Sequence, residues 1–105
     1  MGRIDDIIQG TSGLRVGASA DAAGAVLETS GDHDFETLCA TLAMARPQLE
    51  AAADMLGLGN LQVVSFLHGE QTTYARFDDG RVDAFVGAAT KSPDTVAQKL
   101  TSAPR

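Results

Sequence analysis

Cys39 is the only thiol in the chain, and His33 and His68 are the only imidazoles. A cysteine nucleophile needs a base within reach and surroundings that favour the thiolate. His33 lies just upstream of Cys39, near the start of the same helical stretch, and is badly placed to act as that base. Cys39 therefore reads as a small buried hydrophobe. Neither a C-x-x-C nor an H-E-x-x-H spacing occurs, so a zinc centre would have to be assembled from unrelated loops. Both histidines read as solvated loop residues. The carboxylates pair as Asp5-Asp6, Asp32-x-Asp34 and Asp78-Asp79. Each pair falls near a helix start or in a turn, where Asp caps or bends the chain. General acid–base chemistry needs two carboxyls whose environments push their pKa values apart, and this pattern supplies none. No G-x-x-x-x-G-K-[ST] is present, which removes the P-loop route to nucleotides. The glycines of Gly10-x-x-Gly13 and Gly57-x-Gly59 read as turn and cap residues. Arg46 reads as a structural arginine with its stem along apolar surface, rather than as an arginine finger. No catalytic residue, metal ligand or cofactor is expected.

Composition narrows the partners. With 44% hydrophobic and 21% charged residues the chain can build a core, and its 105 residues suit one domain spanning 1–105. Eight Lys and Arg stand against fourteen Asp and Glu, so the net charge of −6 repels phosphate backbones and anionic membranes. Aromatics make up only 5% and Trp is absent, which argues against broad stacking platforms for bases or sugars. No run approaches the ~20 apolar residues of a membrane span. The N-terminus, Met1-Gly2-Arg3-Ile4-Asp5-Asp6, is too polar for a signal peptide. A lone cysteine forms no internal disulfide. The expectation is a cytoplasmic protein that binds neither nucleic acid nor the bilayer interior.

The elements follow from pattern and punctuation. Ile4, Ile7 and Ile8 make a short amphipathic helix that Gly10 and Gly13 end. Leu14, Val16, Ala18 and Ala20 alternate with small or polar residues, a half-buried strand. Asp21-Ala22-Ala23-Gly24 turns it into a second strand over 25–29, forming a hairpin. Asp32 or Asp34 can cap a long helix over about 34–56, closed by Gly57. Strands are predicted over 61–67, 72–77 and 82–88, joined by His68-Gly69-Glu70-Gln71 and Asp78-Asp79-Gly80. Ser92-Pro93-Asp94 opens a last short helix with Val96, Ala97 and Leu100 on its apolar side. The order is α-β-β-α-β-β-β-α.

The long helix carries two apolar lines. Phe35, Leu38, Leu42, Ala45, Leu49, Ala52 and Leu56 alternate steps of three and four, with Cys39 and Ala53 at the border, and should lie on a sheet. At about 100° per residue, Ala40, Met44, Ala51 and Met55 fall on the opposite side, with Gln48 at their flank. A helix with only solvent above it would carry charge there. Methionine adapts to partner surfaces and alanine allows close helix approach, so this second line reads as a helix–helix interface. Pro47 sits inside the helix and is expected to kink or restart it near 43–47.

From about Gly17 to Ala89 the pattern resembles the roadblock family of dynein light-chain-like proteins. The strand–Asp21-x-x-Gly24–strand hairpin, Thr29-Ser30-Gly31, the Ala/Leu-rich helix ending in Met55-Leu56-Gly57-Leu58-Gly59, and three consecutive strands carry the resemblance. Longin and profilin domains share related architectures. The resemblance implies an α+β fold: a five-stranded antiparallel sheet in order 2-1-5-4-3, the long helix on one face and two short helices on the other. It also implies a homodimer joined through the long helix and the third strand, which gives an expected interface of Ala40, Met44, Gln48, Ala51, Met55, Leu61, Val63 and Ser65. Such platforms bind motor or signalling subunits, or regulate small Ras-like GTPases as scaffolds or GTPase-activating partners. The rival reading is a small-molecule-sensing domain of profilin, PAS or GAF type, which would need a ligand cavity between sheet and helices.

Overall fold

A computed structural model describes residues 2–59, 62–88 and 93–103. Its elements are α1 (Arg3–Gly10), β1 (Leu14–Asp21), β2 (Val26–Ser30), α2 (Phe35–Met55), β3 (Val63–His68), β4 (Gln71–Asp78), β5 (Arg81–Ala88) and α3 (Pro93–Ser102). The strands form one antiparallel sheet in the order β2-β1-β5-β4-β3. Helix α2 packs on β5, β1 and β2; on the other face α1 rests on β1 and β2, and α3 on β3 and β4. The expected order, sheet and layering are all present. Ser92, expected to cap α3, lies outside the described residues, as do Asn60 and Leu61. Among the described residues no helix is long and apolar enough to cross a membrane.

Each layer has its own core. Between α2 and the sheet, Phe35, Cys39 and Leu42 meet Ala18, Ala20, Ala75, Phe77, Val82 and Ala84. Between the short helices and the sheet, Ile4, Ile7, Val96 and Leu100 meet Leu14, Tyr74 and Phe85. Strand β1 lies between both layers and is buried continuously from Gly17 to Ala20, so it is not the half-buried strand its alternation predicts. Its small residues explain how both faces close. A Cβ on Gly17 would stand 2.6 Å from the Phe85 ring and 3.1 Å from Ile4.

The Asp21-x-x-Gly24 turn also has a packing reason. The Asp21 carboxylate accepts the Ala23 and Ala25 amides, each at 3.0 Å, and Gly24 adopts φ +90°. A Cβ on Gly24 would come within 2.7 Å of the Ala40 Cα and 2.9 Å of the Cys39 carbonyl oxygen, so only glycine lets this turn lie against α2.

Helix α2 starts at Asp34, whose carboxylate accepts the Thr37 amide at 3.2 Å, and the bonds from Thr37 hold the Asp34 carboxyl below its ordinary range. It ends where Gly57 takes φ +69° and the Leu58 amide reaches back to the Ala53 carbonyl at 2.9 Å. Between these caps it is one helix: Pro47 neither ends nor restarts it. The line lying on the sheet runs through Phe35, Cys39, Leu42, Arg46, Leu49 and Ala53. Ala52 and Leu56, assigned to that line from spacing, are exposed, because the sheet-facing line follows Cys39 and Ala53 and the last turn is not covered. Arg46 has the structural role expected of it. Its guanidinium stacks 5.2 Å above Phe77, donates to the Arg81 carbonyl at 3.4 Å and pairs with Glu50 at 3.5 Å.

Candidate interaction surface

The outer line of α2 is bare. Met44 is 81% and Met55 88% exposed, and Gln48 and Ala51 between them are exposed as well. Ala40 is half-buried, because the Gly24 turn lies against its backbone. Leu56 and Leu58 extend the apolar surface past the end of the helix.

Strand β3 forms one edge of the sheet. The Phe77 amide donates to the Gln62 carbonyl at 2.8 Å, and the register pairs Val64 with Ala75, Phe66 with Thr73 and His68 with Gln71. Hydrogen-bonded pairs alternate along an antiparallel ladder. The even-numbered residues of β3 therefore bond inward to β4, and the N–H and C=O groups of Val63, Ser65 and Leu67 point out of the sheet. Val63 turns its side chain into the α1/α3 core, so what it offers a neighbour is backbone. Ser65 is exposed, Leu67 is 65% exposed, and Phe66 is 39% exposed on the α2 side of the sheet. On that face Val64 packs against the α2 core, whereas Phe66 is left only partly covered. The opposite edge differs: β2 carries a bulge at Leu27, between the Ser19↔Glu28 and Ala20↔Val26 pairs, and a bulge interrupts a pairing edge.

Of the residues expected from sequence, Met44, Gln48, Ala51 and Met55 share the bare outer line of α2, and Val63 and Ser65 share the open positions of β3. Leu61 lies outside the described residues. Phe66, Leu67 and Leu58 were not anticipated. The signal for the first two was present in the run Val63-Val64-Ser65-Phe66-Leu67, which is too continuously apolar for an edge strand facing water.

Cys39, His33 and His68 each have a packing or hydrogen-bond partner. Cys39 is fully buried, and burial pushes its thiol up to about 11, with Asp83 adding to the shift. His68 shares a hydrogen bond with the Thr73 hydroxyl at 3.0 Å, and the His33 ring packs near Phe35. Among the described residues no three His, Cys, Asp or Glu side chains are grouped to hold a metal ion. A solvent-open groove of about 580 Å³ runs between α1 and α3 with polar residues such as Asp6, Gln98 and Lys99 along it.

One charged cluster escaped the sequence reading. Asp83 is 1% exposed and Arg76 fully buried; Arg76 donates to Asp83 through Nε at 3.1 Å and through a terminal nitrogen at 2.8 Å. Arg3 donates to both oxygens of the same carboxylate, at 3.2 and 3.1 Å. Burial alone would raise the Asp83 carboxyl, but hydrogen bonds from Arg3, Arg76 and Ser19 outweigh it and hold the group below the ordinary carboxylate range.

No family model and no curated protein matches the sequence. Solved structures do share the fold. A Roadblock/LC7 domain from Streptomyces avermitilis superposes with a TM-score of 0.76 at 11% identity, over 95% of this chain and 89% of that one. The gliding protein MglB from Thermus thermophilus gives 0.70 at 16% identity, over 95% and 84%. Profilin from Schizosaccharomyces pombe gives 0.69 at 16% identity, over 94% and 88%. The chain thus has the roadblock/LC7-type fold, an architecture that profilin shares.

Proposed function

We propose that this chain is a homodimeric protein-interaction platform of the cytoplasm, without catalytic chemistry of its own, that regulates or scaffolds a small Ras-like GTPase or a motor or signalling complex. One observation carries the reading: the bare apolar line of α2, with Met44 and Met55 standing in solvent, accompanies an open strand edge at which Phe66 and Leu67 are exposed. A second copy answers both features at once. Its α2 would cover the methionines, and its β3 would pair with the outward N–H and C=O groups of Val63, Ser65 and Leu67, joining two sheets into one. The GTPase assignment rests on the roadblock resemblance and on the likeness to Roadblock/LC7 and MglB folds. Such a platform would act by favouring one conformation of the GTPase switch surface.

The test is solution mass by size exclusion with light scattering over a micromolar dilution series. The wild-type chain is expected at twice 10.9 kDa. Met44→Glu and Met55→Glu are each expected to weaken association by roughly 100-fold or more, since each puts a charge on both copies where the proposed interface would bury an apolar side chain. Their far-ultraviolet circular dichroism should stay that of the folded chain. A wild-type monomer at every concentration, or a dimer indifferent to both glutamates, would remove this face from the interface. Binding to a panel of small GTPases, each loaded with GDP or with a non-hydrolysable GTP analogue, tests the partner assignment separately.

A further inference from the structure

Asp83 stands where the two short helices converge on the sheet. Arg3, in the first turn of α1, holds both of its oxygens and also donates to the Ser19 hydroxyl at 3.2 Å. Arg76 holds Asp83 from β4 and, with another nitrogen, donates to the Leu100 and Ala103 carbonyls at 2.9 and 3.2 Å. Those carbonyls close the C-terminal end of α3, where a helix exposes unpaired acceptors and favours a cation. Arg81 adds a third guanidinium at 3.6 Å from the carboxylate. The helices themselves rest on different strands, α1 on β1 and β2, α3 on β3 and β4, with the solvent-open groove between them.

We infer that Asp83 is a shared anchor that couples the docking of α1 to the docking of α3. A buried carboxylate that loses one cation leaves its remaining partner in a changed field. If α1 lifts away, Asp83 is left less compensated and admits water, and its stronger claim on Arg76 draws that guanidinium from the α3 carbonyls. If α3 lifts away, Arg76 loses two acceptors and its geometry on Asp83 relaxes, which loosens the hold on Arg3. The two helices therefore leave and rejoin the sheet as one layer, while α2 and its core stay in place. A protein that captures either helix would release the other, without touching the α2 face. Coupling of this kind is reciprocal by necessity.

Hydrogen exchange of the 105-residue chain tests this. Arg3→Gln removes the cation that α1 places on Asp83, at a side chain that is 22% exposed. Amides of α3 are expected to exchange about tenfold faster in this variant, along with those of α1, while the middle of α2 is unchanged. Ile7→Val loosens α1 through its apolar packing without touching Asp83, and is expected to leave α3 at its wild-type rate. Should Arg3→Gln not fold, Arg3→Lys, which keeps the cation but loses the two-pronged contact, is read by the same criteria. The inference fails if α3 is indifferent to the change at Arg3. It fails equally if Ile7→Val loosens α3 as much, because the coupling would then run through the shared apolar core.

Discussion

The thiol of Cys39 lies between α2 and the sheet, fully buried, with its pKa raised to about 11 against 9.0 for a free cysteine. Two outcomes follow. A thiol-specific reagent should modify the native chain only through opening of the α2 core, so labelling should be slow and should accelerate with denaturant in step with unfolding. Prompt labelling at neutral pH would contradict the burial. The pH dependence has a fixed sign. The unfolded thiol ionises near 9 while the folded thiol stays protonated to about 11, so the contribution is complete below pH 9. It is lost as pH rises through the interval between the two values. Chemical denaturation at successive alkaline pH, with Cys39→Ala as the comparison, isolates that loss: the variant should decline less steeply than the wild type over this interval. Asp83 shows the opposite balance, a buried acid whose pKa is held down by hydrogen bonds from Arg3, Arg76 and Ser19. It went unnoticed in the sequence because a lone Arg or Asp in a strand is ordinarily assigned to solvent. Its trace is nonetheless present. Arg76 and Asp83 sit symmetrically about the Asp79-Gly80 turn, so the hairpin register must place them opposite one another.

Among the elements, α2 combines a long apolar face with an interior proline. Pro47 withholds an amide from the Ala43 carbonyl, a cost of about 3 kcal/mol in a helix interior. The helix persists because its buried line lies on the other side, where Leu42, Leu49 and Ala53 pack on the sheet and Arg46 is held by Phe77, Arg81 and Glu50. Tertiary packing thus outweighs the local penalty, as it does for most protein helices. Pro47→Ala should raise the thermal midpoint by about 5 °C or more, because it restores a hydrogen bond at an exposed position and meets nothing in the core. A midpoint at or below the wild-type value would mean that the surrounding backbone already compensates for the proline. Element type and order were legible from sequence because their signals are local: glycine turns, an Asp cap, alternation in strands and the three-four spacing of α2. What was not legible depends on neighbours distant in sequence. The continuous burial of β1 needs helices on both faces. The shift of the sheet-facing line toward Cys39 and Ala53 reflects where the sheet meets α2, and the half-burial of Ala40 depends on the Gly24 turn.

At the scale of the whole molecule the two sheet edges are not equivalent. The β2 edge is interrupted by its bulge at Leu27, whereas β3 keeps a straight register with β4 from Val63 to His68 and offers outward backbone groups at Val63, Ser65 and Leu67. An apolar, regular edge left open would invite indiscriminate pairing, so a stable chain needs a defined occupant for it. The proposed second copy would meet this need while also covering the bare line of α2. Proline separates the edge from the fold. At Ser65 the amide points away from β4, and an edge strand tolerates proline where the N–H faces solvent. Ser65→Pro should therefore leave the monomer folded while removing an outward donor from each copy at the centre of the shared sheet. In light scattering the variant is expected to dissociate at concentrations where the wild type is dimeric. Thr73→Pro, whose amide belongs to the inward ladder with Phe66, should instead unfold the sheet. A Ser65→Pro chain that dimerises as tightly as the wild type would show that the copies meet through α2 without sheet continuity. The methionine line would then stand as the whole of the interface, and the β3 edge would need another cover.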